Sequence, residues 1–382
     1  MTRFKRAFSL LLCLTLLSGL GAVSAESETD YGVTEGLTAE EQAQWKQWAS
    51  EDQTTDMSAA ANAIALTPEE ETMLGSLSTS LDESGHLDDV DLTNLSKNER
   101  LPKLVFNILL LGVDNRSTEL QRGRSDAIIV CSINLKTGAI KLVSIARDTA
   151  VSIPGKKINR VNLAYQYGGA ELSMKTINEN FQLNLDRYVV VNIHGLSAII
   201  DALGGVDMDM TALEANRINF ELRKEPMDDV KRARVKAIAG VQHLDGMQAV
   251  TFARIRGIDS DLERTRRQRQ LLETLLQKVM EDMNLTKLMT LIETALPYGD
   301  TNLTLDELLT LGSTVISGDV LSKMQSGGEI MEQMRIPMDK RYGWKKFADA
   351  ALLYLNPENL QYTIETMHEF LYDKSYYQQP TP

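Results

Sequence analysis

The stretch LVFNILLL, residues 104–111, is a nearly continuous apolar run of the kind that forms a strand buried on both faces. Two further strand patterns follow it, at residues 127–133 and 140–145, and the turn KTG at residues 136–138 separates them. Sequential strands with short connections usually pair antiparallel. We therefore expect the three segments to lie side by side in one sheet.

Charged side chains flank these strands at one end. Asp114 follows the first strand, Asp126 precedes the second, and Arg147 with Asp148 follows the third. Antiparallel pairing brings those positions to one edge of the sheet, so we predict that Asp114, Asp126 and Arg147 meet there. Taken singly, each aspartate is equally well explained by a turn or capping role, because Asp is common at strand ends and in loops.

The remaining sequence mixes helix and strand patterns. This mixture predicts an α/β fold with a mixed central sheet flanked by helices. The predicted segments are a loop at residues 159–169, a helix at 171–181, a buried strand at 188–193, a helix at 194–203 that ends at Gly204-Gly205, and a helix capped by Asp245 and Gln248.

A second polar feature is the arginine-rich stretch that begins TFARIR at residue 251 and contains six arginines between residues 254 and 269. Guanidinium forks beside buried positions suit a phosphate-bearing ligand. The alternative is a solvated helix, which would scatter such charges outward. We expect the arginines to head a buried face, because one helical stripe begins cationic and becomes apolar. The stripe comprises Arg264, Arg267, Gln268 and Leu271, at i, i+3, i+4 and i+7.

The composition argues against some classes of protein. The chain has 382 residues, of which 43% are hydrophobic, so it can form one large core or two modest ones. A net charge of -13 and a pI near 5.0 argue against a general nucleic-acid-binding protein, which normally has a basic surface. The four histidines are scattered without metal-ligand spacing, which disfavours a histidine-ligated metallohydrolase.

Residues 1–25 have the pattern of a signal peptide, with the basic start MTRFKR, an apolar run over residues 7–22 and small residues up to Ala25. We expect cleavage after Ala25. The alternative is an uncleaved membrane anchor, although a spanning helix needs about 20 apolar residues. Cleavage would leave Cys131 as the one cysteine of the mature chain, and its strand-like setting predicts a buried, unreactive thiol.

Six short motifs follow one another along the chain: LLGVDNR at residues 110–116, GRSD at 123–126, SIARDT at 144–149, YGG at 167–169, ALGGVD at 202–207, and ARIR at 253–256 with its continuation to Gln268. Together they resemble the motifs of the LytR-CpsA-Psr family, in the family's order and over roughly residues 104–280. One such motif would be a weak signal, and six in order make the resemblance specific.

The resemblance implies an α/β fold of the family's type, in which a mixed central sheet and flanking helices enclose a hydrophobic pocket for a polyprenyl lipid. It implies an extracytoplasmic phosphotransferase at a bacterial cell surface, either membrane-anchored or secreted. Such an enzyme moves an anionic glycopolymer, of the teichoic acid or capsular polysaccharide type, from polyprenyl pyrophosphate to peptidoglycan. The implied partners are that lipid-linked glycopolymer, peptidoglycan and the membrane surface, and not nucleic acid. With water as the acceptor, the enzyme would act as a pyrophosphatase.

The family pattern also implies roles for individual residues. Asp114 and Asp126 would bind Mg²⁺, with Mn²⁺ as an alternative ion, because these hard cations take carboxylate and phosphate oxygens. Asp148 or Asp261 could accept the proton of the acceptor hydroxyl, and spacing does not choose between them. The implied catalytic residues are Arg147, Arg254, Arg256, Asp261 and Arg264, and the implied substrate-binding residues are Arg124, Arg147, Arg254, Arg256, Arg264 and Gln268.

Around these motifs the sequence divides into four regions. Capping boxes predict helix starts at Thr67 with Glu70 and at Thr304 with Glu307. The predicted regions are a signal peptide or membrane anchor at residues 1–25, an acidic and partly helical spacer at 26–100, the catalytic domain at 101–285, and a helical C-terminal extension at 286–382 in which residues 344–372 look helical.

The rival interpretation from another class is a non-catalytic polyprenyl-lipid-binding envelope protein or regulator. The two aspartates and the arginine set favour an enzyme, because binding a lipid tail requires no pair of metal ligands.

Overall fold

The predicted signal peptide and most of the acidic spacer lie outside the residues that the computed structural model describes. Among the described residues, no helix combines the length and hydropathy needed to cross a membrane. The described residues are 38–40, 42–43, 62–77, 90–113, 123–222, 235–236, 238–255, 258, 266–267, 270–271, 274–275, 277–278, 299–317, 331–347 and 350–372.

A mixed β-sheet lies at the centre of the fold. The strands in chain order are β1 Val105–Val113, β2 Ser125–Asn134, β3 Ile140–Ile145, β4 Ala150–Ser152, β5 Ile158–Arg160, β6 Arg187–Asn192, β7 Val206–Met210, β8 Gly240–Leu244, β9 Gly299–Thr301, β10 Met331–Ile336, β11 Gly343–Phe347 and β12 Ala350–Tyr354. Six of them form the central sheet in the order β10-β3-β2-β1-β6-β9, and β4–β5, β7–β8 and β11–β12 form separate two-stranded sheets.

The predicted antiparallel pairing of the first three strands is confirmed. Leu109 lies opposite Val130, and Val130 lies opposite Val143. β6 joins β1 in parallel, β10 joins β3 in parallel, and β9 pairs antiparallel with β6. The sheet is therefore mixed, as the sequence pattern predicted.

Helices cover both faces of this sheet. Ile108 and Leu110 of β1 pack into the core on one face, whereas Leu109 and Leu111 pack into the core on the other. This alternation follows from the period of two in a strand, and it explains why the run is apolar throughout. The helices are α1 Pro68–Leu77, α2 Leu163–Phe181, α3 Ile193–Ala202, α4 Ala212–Leu222, α5 Gly246–Arg254, α6 Leu305–Ser317 and α7 Pro357–Tyr372, with α3 to α6 on the first face and α2 and α7 on the second.

Several local predictions are confirmed. Asp245 Oδ1 accepts from Gln248 N at 2.8 Å, and Gln248 Oε1 accepts from Asp245 N at 2.9 Å, which forms the capping box of α5. The Thr67–Glu70 and Thr304–Glu307 pairs form reciprocal capping bonds as well. Cys131 is buried in β2, and burial raises the pKa of its thiol to about 12.

The prediction of a loop over residues 159–169 was wrong. The segment contains the end of β5 and the first two turns of α2, and α2 kinks at Gly168 and Gly169. Gly169 has φ 72°, a left-handed conformation that favours glycine, and a Cβ at Gly168 would lie 2.7 Å from Leu172 Cβ. The glycine pair that permits the kink also concealed the helix, because glycine weakens a helical pattern.

The prediction of a helical extension over residues 286–382 was also wrong in part. β9 and β10 belong to the central sheet, and β11 and β12 pair antiparallel with each other where the start of a helix was predicted. Only the last part of the predicted helix, α7, is helical. Short apolar runs of this length do not distinguish strand from helix by periodicity, and pairing with distant strands decided the outcome.

Both ends of the described chain dock onto this body. Leu74 of α1 packs on Leu352, and the Glu71 carboxylate forms an ion pair with Lys345 of β11. At the other end, Asn107 Nδ2 of β1 donates a buried hydrogen bond to Tyr372 Oη of α7 at 2.7 Å. Part of the predicted spacer and the last helix are therefore integral to the fold.

Candidate functional site

Four strand ends meet at one edge of the central sheet. β1 ends at Val113, which lies opposite Ser125 at the start of β2 and beside Asn192 at the end of the parallel strand β6. β3 also ends at this edge, at Ile145. The β1–β2 register shifts between Gly112 and Val113, an irregularity of the kind that often re-aims side chains beside active sites.

Arg147 lies at the centre of this edge. Its Nη1 donates to Asp126 Oδ1 at 3.0 Å, and its Nε donates to Asp148 Oδ2 at 3.4 Å. Burial acts to lower the pKa of the Arg147 guanidinium, but the negative charges of Asp148 and Asp126 outweigh this effect and raise the pKa above its ordinary value. Arg147 therefore stays protonated, and it can stabilise an anion but not act as a base. The predicted meeting of Asp126 and Arg147 is confirmed.

Arg160 extends this group of charges, and the sequence reasoning missed it. Its Nη1 lies 3.7 Å from Asp148 Oδ1, and its side chain is only 8% exposed. Arg160 ends β5, where it pairs with Ala150 of β4. We call Asp126, Arg147, Asp148 and Arg160 the edge cluster. The erroneous loop prediction over residues 159–169 hid Arg160, and only the polar residues among the apolar ones in INRVN signalled it.

Asn162, immediately before α2, connects the two strands that carry the cluster. Its backbone N donates to Arg147 O at 3.3 Å, and its carbonyl oxygen accepts from Ser125 Oγ at 3.4 Å. Asn162 and Ser125 are both buried. The backbone on either side of Arg147 and Asp126 is therefore held by a third segment.

The structure describes only some of the other predicted site residues. Arg124 directly precedes β2 and is exposed, and Arg254 is the half-buried last residue of α5. Five further predicted residues lie outside the described part of the chain, so their places remain predictions: Asp114, Arg256, Asp261, Arg264 and Gln268.

The prediction that the arginine stripe heads a buried face is confirmed at the positions that the structure describes. Arg267, Leu271 and Leu275 are helical, spaced four residues apart, and essentially inaccessible to solvent. The Arg267 guanidinium lies 3.1 Å from the buried Glu214 carboxylate of α4. This arginine therefore binds a protein carboxylate at its buried position.

The donor set at the edge fits a hard divalent cation in part. Among the described residues, no group of three His, Cys, Asp or Glu side chains is placed to hold a metal ion. Asp126 supplies one carboxylate, and Asp114 follows Val113 in sequence. Mg²⁺ requires only one or two protein carboxylates when water and phosphate oxygens complete its shell, so these residue types are compatible with Mg²⁺.

The fold and the edge cluster together define an α/β protein with a partly exposed site of arginines and carboxylates at the ends of its central strands. The chain belongs to the LytR-CpsA-Psr family, because residues 71–345 match the LytR_cpsA_psr family model. The match extends beyond the predicted catalytic domain at both ends, and it includes most of α1 and the strands β9 and β10.

Two named relatives are each similar to somewhat more than half of the chain. A polyisoprenyl-teichoic acid–peptidoglycan teichoic acid transferase TagU from Oceanobacillus iheyensis is 36% identical over 218 residues, which cover 55% of this chain and 62% of the relative. The transferase TagV from Bacillus subtilis is 32% identical over 231 residues, which cover 59% of this chain and 56% of TagV. The chain thus matches less than two thirds of the length of either relative.

A solved structure of TagT bound to LIIa-WTA has the same fold. It superposes with a TM-score of 0.52 at 25% sequence identity, and the match covers 70% of this chain and 91% of that one. The prediction of an α/β fold of the family's type is thereby confirmed.

Proposed function

We propose that this protein is an extracytoplasmic glycopolymer transferase, which moves a teichoic-acid-type polymer from a polyprenyl-pyrophosphate carrier to peptidoglycan. The observation that carries the proposal is the edge cluster, in which Arg147 lies between two carboxylates at the strand ends of a family fold. The names of the relatives and the ligand of TagT support the substrate class.

The reaction is an attack on phosphorus. The oxygen of a peptidoglycan hydroxyl forms a bond to the phosphorus on the sugar side of the pyrophosphate. The bond from that phosphorus to the bridging oxygen breaks, polyprenyl phosphate leaves with the electron pair, and the hydroxyl proton passes to a base. The protonated Arg147 stabilises the negative charge that develops on the phosphoryl oxygens.

The proton acceptor is better assigned to Asp261 than to Asp148. The two Asp148 oxygens face Arg147 Nε at 3.4 Å and Arg160 Nη1 at 3.7 Å. Both oxygens of this carboxylate are therefore already engaged with guanidinium groups, which suits Asp148 to orienting them. We therefore assign Asp148 the role of holding Arg147 in place.

Asp126 and Asp114 would hold Mg²⁺, with Mn²⁺ as the alternative. When bound, the ion would neutralise the charge of the pyrophosphate. Arg147 shares the Asp126 carboxylate, so this arginine would orient the metal ligand as well as the substrate. The remaining predicted substrate-binding residues would contact the pyrophosphate from the surrounding segments, and they are Arg124, Arg254, Arg256, Arg264 and Gln268.

Three properties complete the proposal. The polyprenyl tail would lie in a hydrophobic pocket beside the sheet, both faces of which carry apolar side chains. The predicted signal peptide or anchor at residues 1–25 would place the enzyme on the outer side of the cell membrane. In the absence of an acceptor, water would take the place of the hydroxyl and pyrophosphatase activity would appear.

The test is release of polyprenyl phosphate from a polyprenyl-pyrophosphate-linked teichoic acid precursor by the full chain, with and without peptidoglycan. We expect release with Mg²⁺, loss of release with EDTA, and recovery when Mg²⁺ or Mn²⁺ is restored. Asp126→Asn should reduce release by about 10²-fold. Asp207→Asn is the matched control, because the Asp207 side chain is 68% exposed on β7, outside the edge cluster.

The same assay decides between the proposal and its rival. Tight binding of the lipid with no release under any metal condition would identify a non-catalytic lipid-binding protein. Release that continues unchanged in EDTA would remove the metal from the proposal and leave the arginines as the catalytic groups.

A further inference from the structure

A buried carboxylate on α4 connects this helix to the arginine-rich segment. Glu214 uses one oxygen for its own helix, because Thr211 N donates to Glu214 Oε2 at 2.8 Å while Glu214 N donates to Thr211 Oγ1 at 3.1 Å. Its other oxygen, Oε1, accepts from Arg266 Nη2 at 2.7 Å and from Arg267 Nη1 at 3.1 Å. Glu214 thus ties α4 to the arginine-rich helical segment.

Arg267 carries this connection one step further. Its second terminal nitrogen, Nη2, donates to the backbone oxygen of Ile255 at 3.0 Å. Ile255 is the residue between Arg254 and Arg256, and it is the position at which α5 ends, with φ -52° and ψ 130°. The two arms of one guanidinium therefore join the α4 carboxylate to the backbone that carries two predicted substrate-binding arginines.

All three groups are shielded from water. Arg267 is 0% exposed, Ile255 is 1% exposed, and Glu214 is 2% exposed. Taking a guanidinium and a carboxylate out of water is unfavourable, and well-packed apolar residues of similar volume often stabilise a fold as well or better. Packing alone therefore gives no reason for a charged pair at this place, whereas fixing a backbone segment requires the fork geometry of arginine.

We propose that Glu214 and Arg267 are positioning residues for the transfer reaction. They fix the backbone between Arg254 and Arg256, and through it the direction in which the two guanidinium groups approach the pyrophosphate. The inference rests on the proposed function, and it assigns roles to two residues that contact neither substrate nor metal.

The neighbouring Arg266 provides a matched control. It shares Glu214 Oε1, but its side chain is 43% exposed, and its Nη1 donates to Gln270 Oε1 on the same helical segment. Arg266→Met and Arg267→Met each remove one positive charge beside the same carboxylate. In each variant Glu214 retains the other arginine, so neither leaves an unpaired buried carboxylate.

The experiment measures kcat, KM and the thermal midpoint for the wild-type full chain and for Arg266→Met, Arg267→Met and Arg267→Lys. We expect Arg267→Met to lower kcat by about 10²-fold, because a displacement of about 1 Å in a catalytic group has effects of that size. KM should change by less than about threefold, since stabilisation of a transition state depends on alignment more than ground-state binding does. Arg266→Met should stay within about twofold of the wild type.

Arg267→Lys is the conservative variant. Lysine keeps the charge but offers a single point of donation in place of a fork, so it should recover part of the lost kcat. Such partial recovery supports the positioning role, because a role in charge balance alone would be fully restored.

Each of the other outcomes contradicts either one part of this inference or the proposed function. Equal losses in Arg266→Met and Arg267→Met would mean that charge, and not the link to Ile255, matters. A loss in Arg267→Met that disappears when assays are run well below its thermal midpoint would reduce Arg267 to a stability residue. An active wild type with an equally active Arg267→Met overturns this inference alone, whereas an inactive wild type overturns the proposed function.

Discussion

Two of the arginine–carboxylate clusters in this molecule bear on the proposed reaction, and they differ in what surrounds them. In the edge cluster, the Arg147 side chain is 26% exposed and lies between Asp126 and Asp148 at the ends of strands. In the buried cluster, formed by Glu214, Arg267 and the backbone oxygen of Ile255, the guanidinium is 0% exposed. The chemical groups are the same, but only the first retains a surface that a ligand can reach.

The comparison shows that an arginine-rich motif contains residues of two kinds. Arg267 lies in the same motif as the predicted substrate-binding residues Arg264 and Gln268, yet its guanidinium binds other parts of the protein. Burial and partner, rather than proximity in the sequence, separate a residue that contacts the ligand from one that holds the site together.

The largest effect is expected from the edge cluster. Arg147→Ala should lower the rate of polyprenyl phosphate release by about 10³-fold, because it removes a cation at the phosphoryl group. Its effect on the free energy of unfolding should be about 1–2 kcal/mol, because the Arg147 side chain is partly exposed whereas that of its partner Asp126 is 9% exposed. Release assays and urea denaturation check the two parts. Wild-type release in this variant would remove Arg147 from the catalytic set.

In the buried cluster, Glu214→Ala should affect the free energy of unfolding more than Arg147→Ala does. It leaves the Arg267 guanidinium buried beside no carboxylate from α4, which should lower the free energy of unfolding by about 3 kcal/mol. Glu332→Ala, which removes an exposed carboxylate 3.9 Å from Lys141, should change it by less than about 0.5 kcal/mol. Urea midpoints measure both. If the two variants proved equally stable, the buried cluster would contribute no more to stability than an exposed ion pair.

The salt dependence of KM and of the thermal midpoint should distinguish the edge cluster from the buried cluster without any mutation. Raising NaCl from about 0.05 to 0.5 M screens exposed charges far more than buried ones. We expect KM for the anionic lipid substrate to rise by about threefold while the thermal midpoint changes little. A steep fall of the midpoint with salt would show that solvent ions reach the buried cluster.

Mild acid should affect stability through His368 on α7. His368 Nε2 donates to Phe181 O at 2.9 Å, and burial lowers the pKa of this imidazole below its usual 6.5 despite that bond. His368 therefore binds a proton less readily in the folded protein than in the unfolded chain. Its contribution to the free energy of unfolding is complete above pH 6.5 and is lost as the pH falls through the lower pKa of the folded state. The effect should be the smallest of the four.

Urea midpoints between pH 7.5 and 5.0 measure how steeply stability falls with pH in the wild type and in His368→Gln, which keeps a donor for Phe181 O. The variant should show a shallower slope. Identical slopes would place the titrating group elsewhere.

The sequence predicted the parts of the fold and site that depend on local pattern. The three strands and the meeting of Asp126 with Arg147 followed from apolar runs and short connections. Arg160 was missed because the Gly168-Gly169 kink disguised its surroundings. Glu214 could not be paired with Arg267 from the sequence, because 53 residues separate them and no periodicity specifies a partner at that distance. The parallel strand β10 was missed for the same reason.

The hydrogen bond between Asn107 and Tyr372 joins residues 265 positions apart in the chain. Contacts of such large separation slow folding, because a long loop must close before they form. Until residues 331–336 arrive, the edge of β3 that β10 occupies stays open, and an open strand edge invites pairing with another chain. A newly made chain therefore exposes this edge to aggregation until residues 331–336 are present, and a fragment that ends after the arginine-rich motif would retain that exposure.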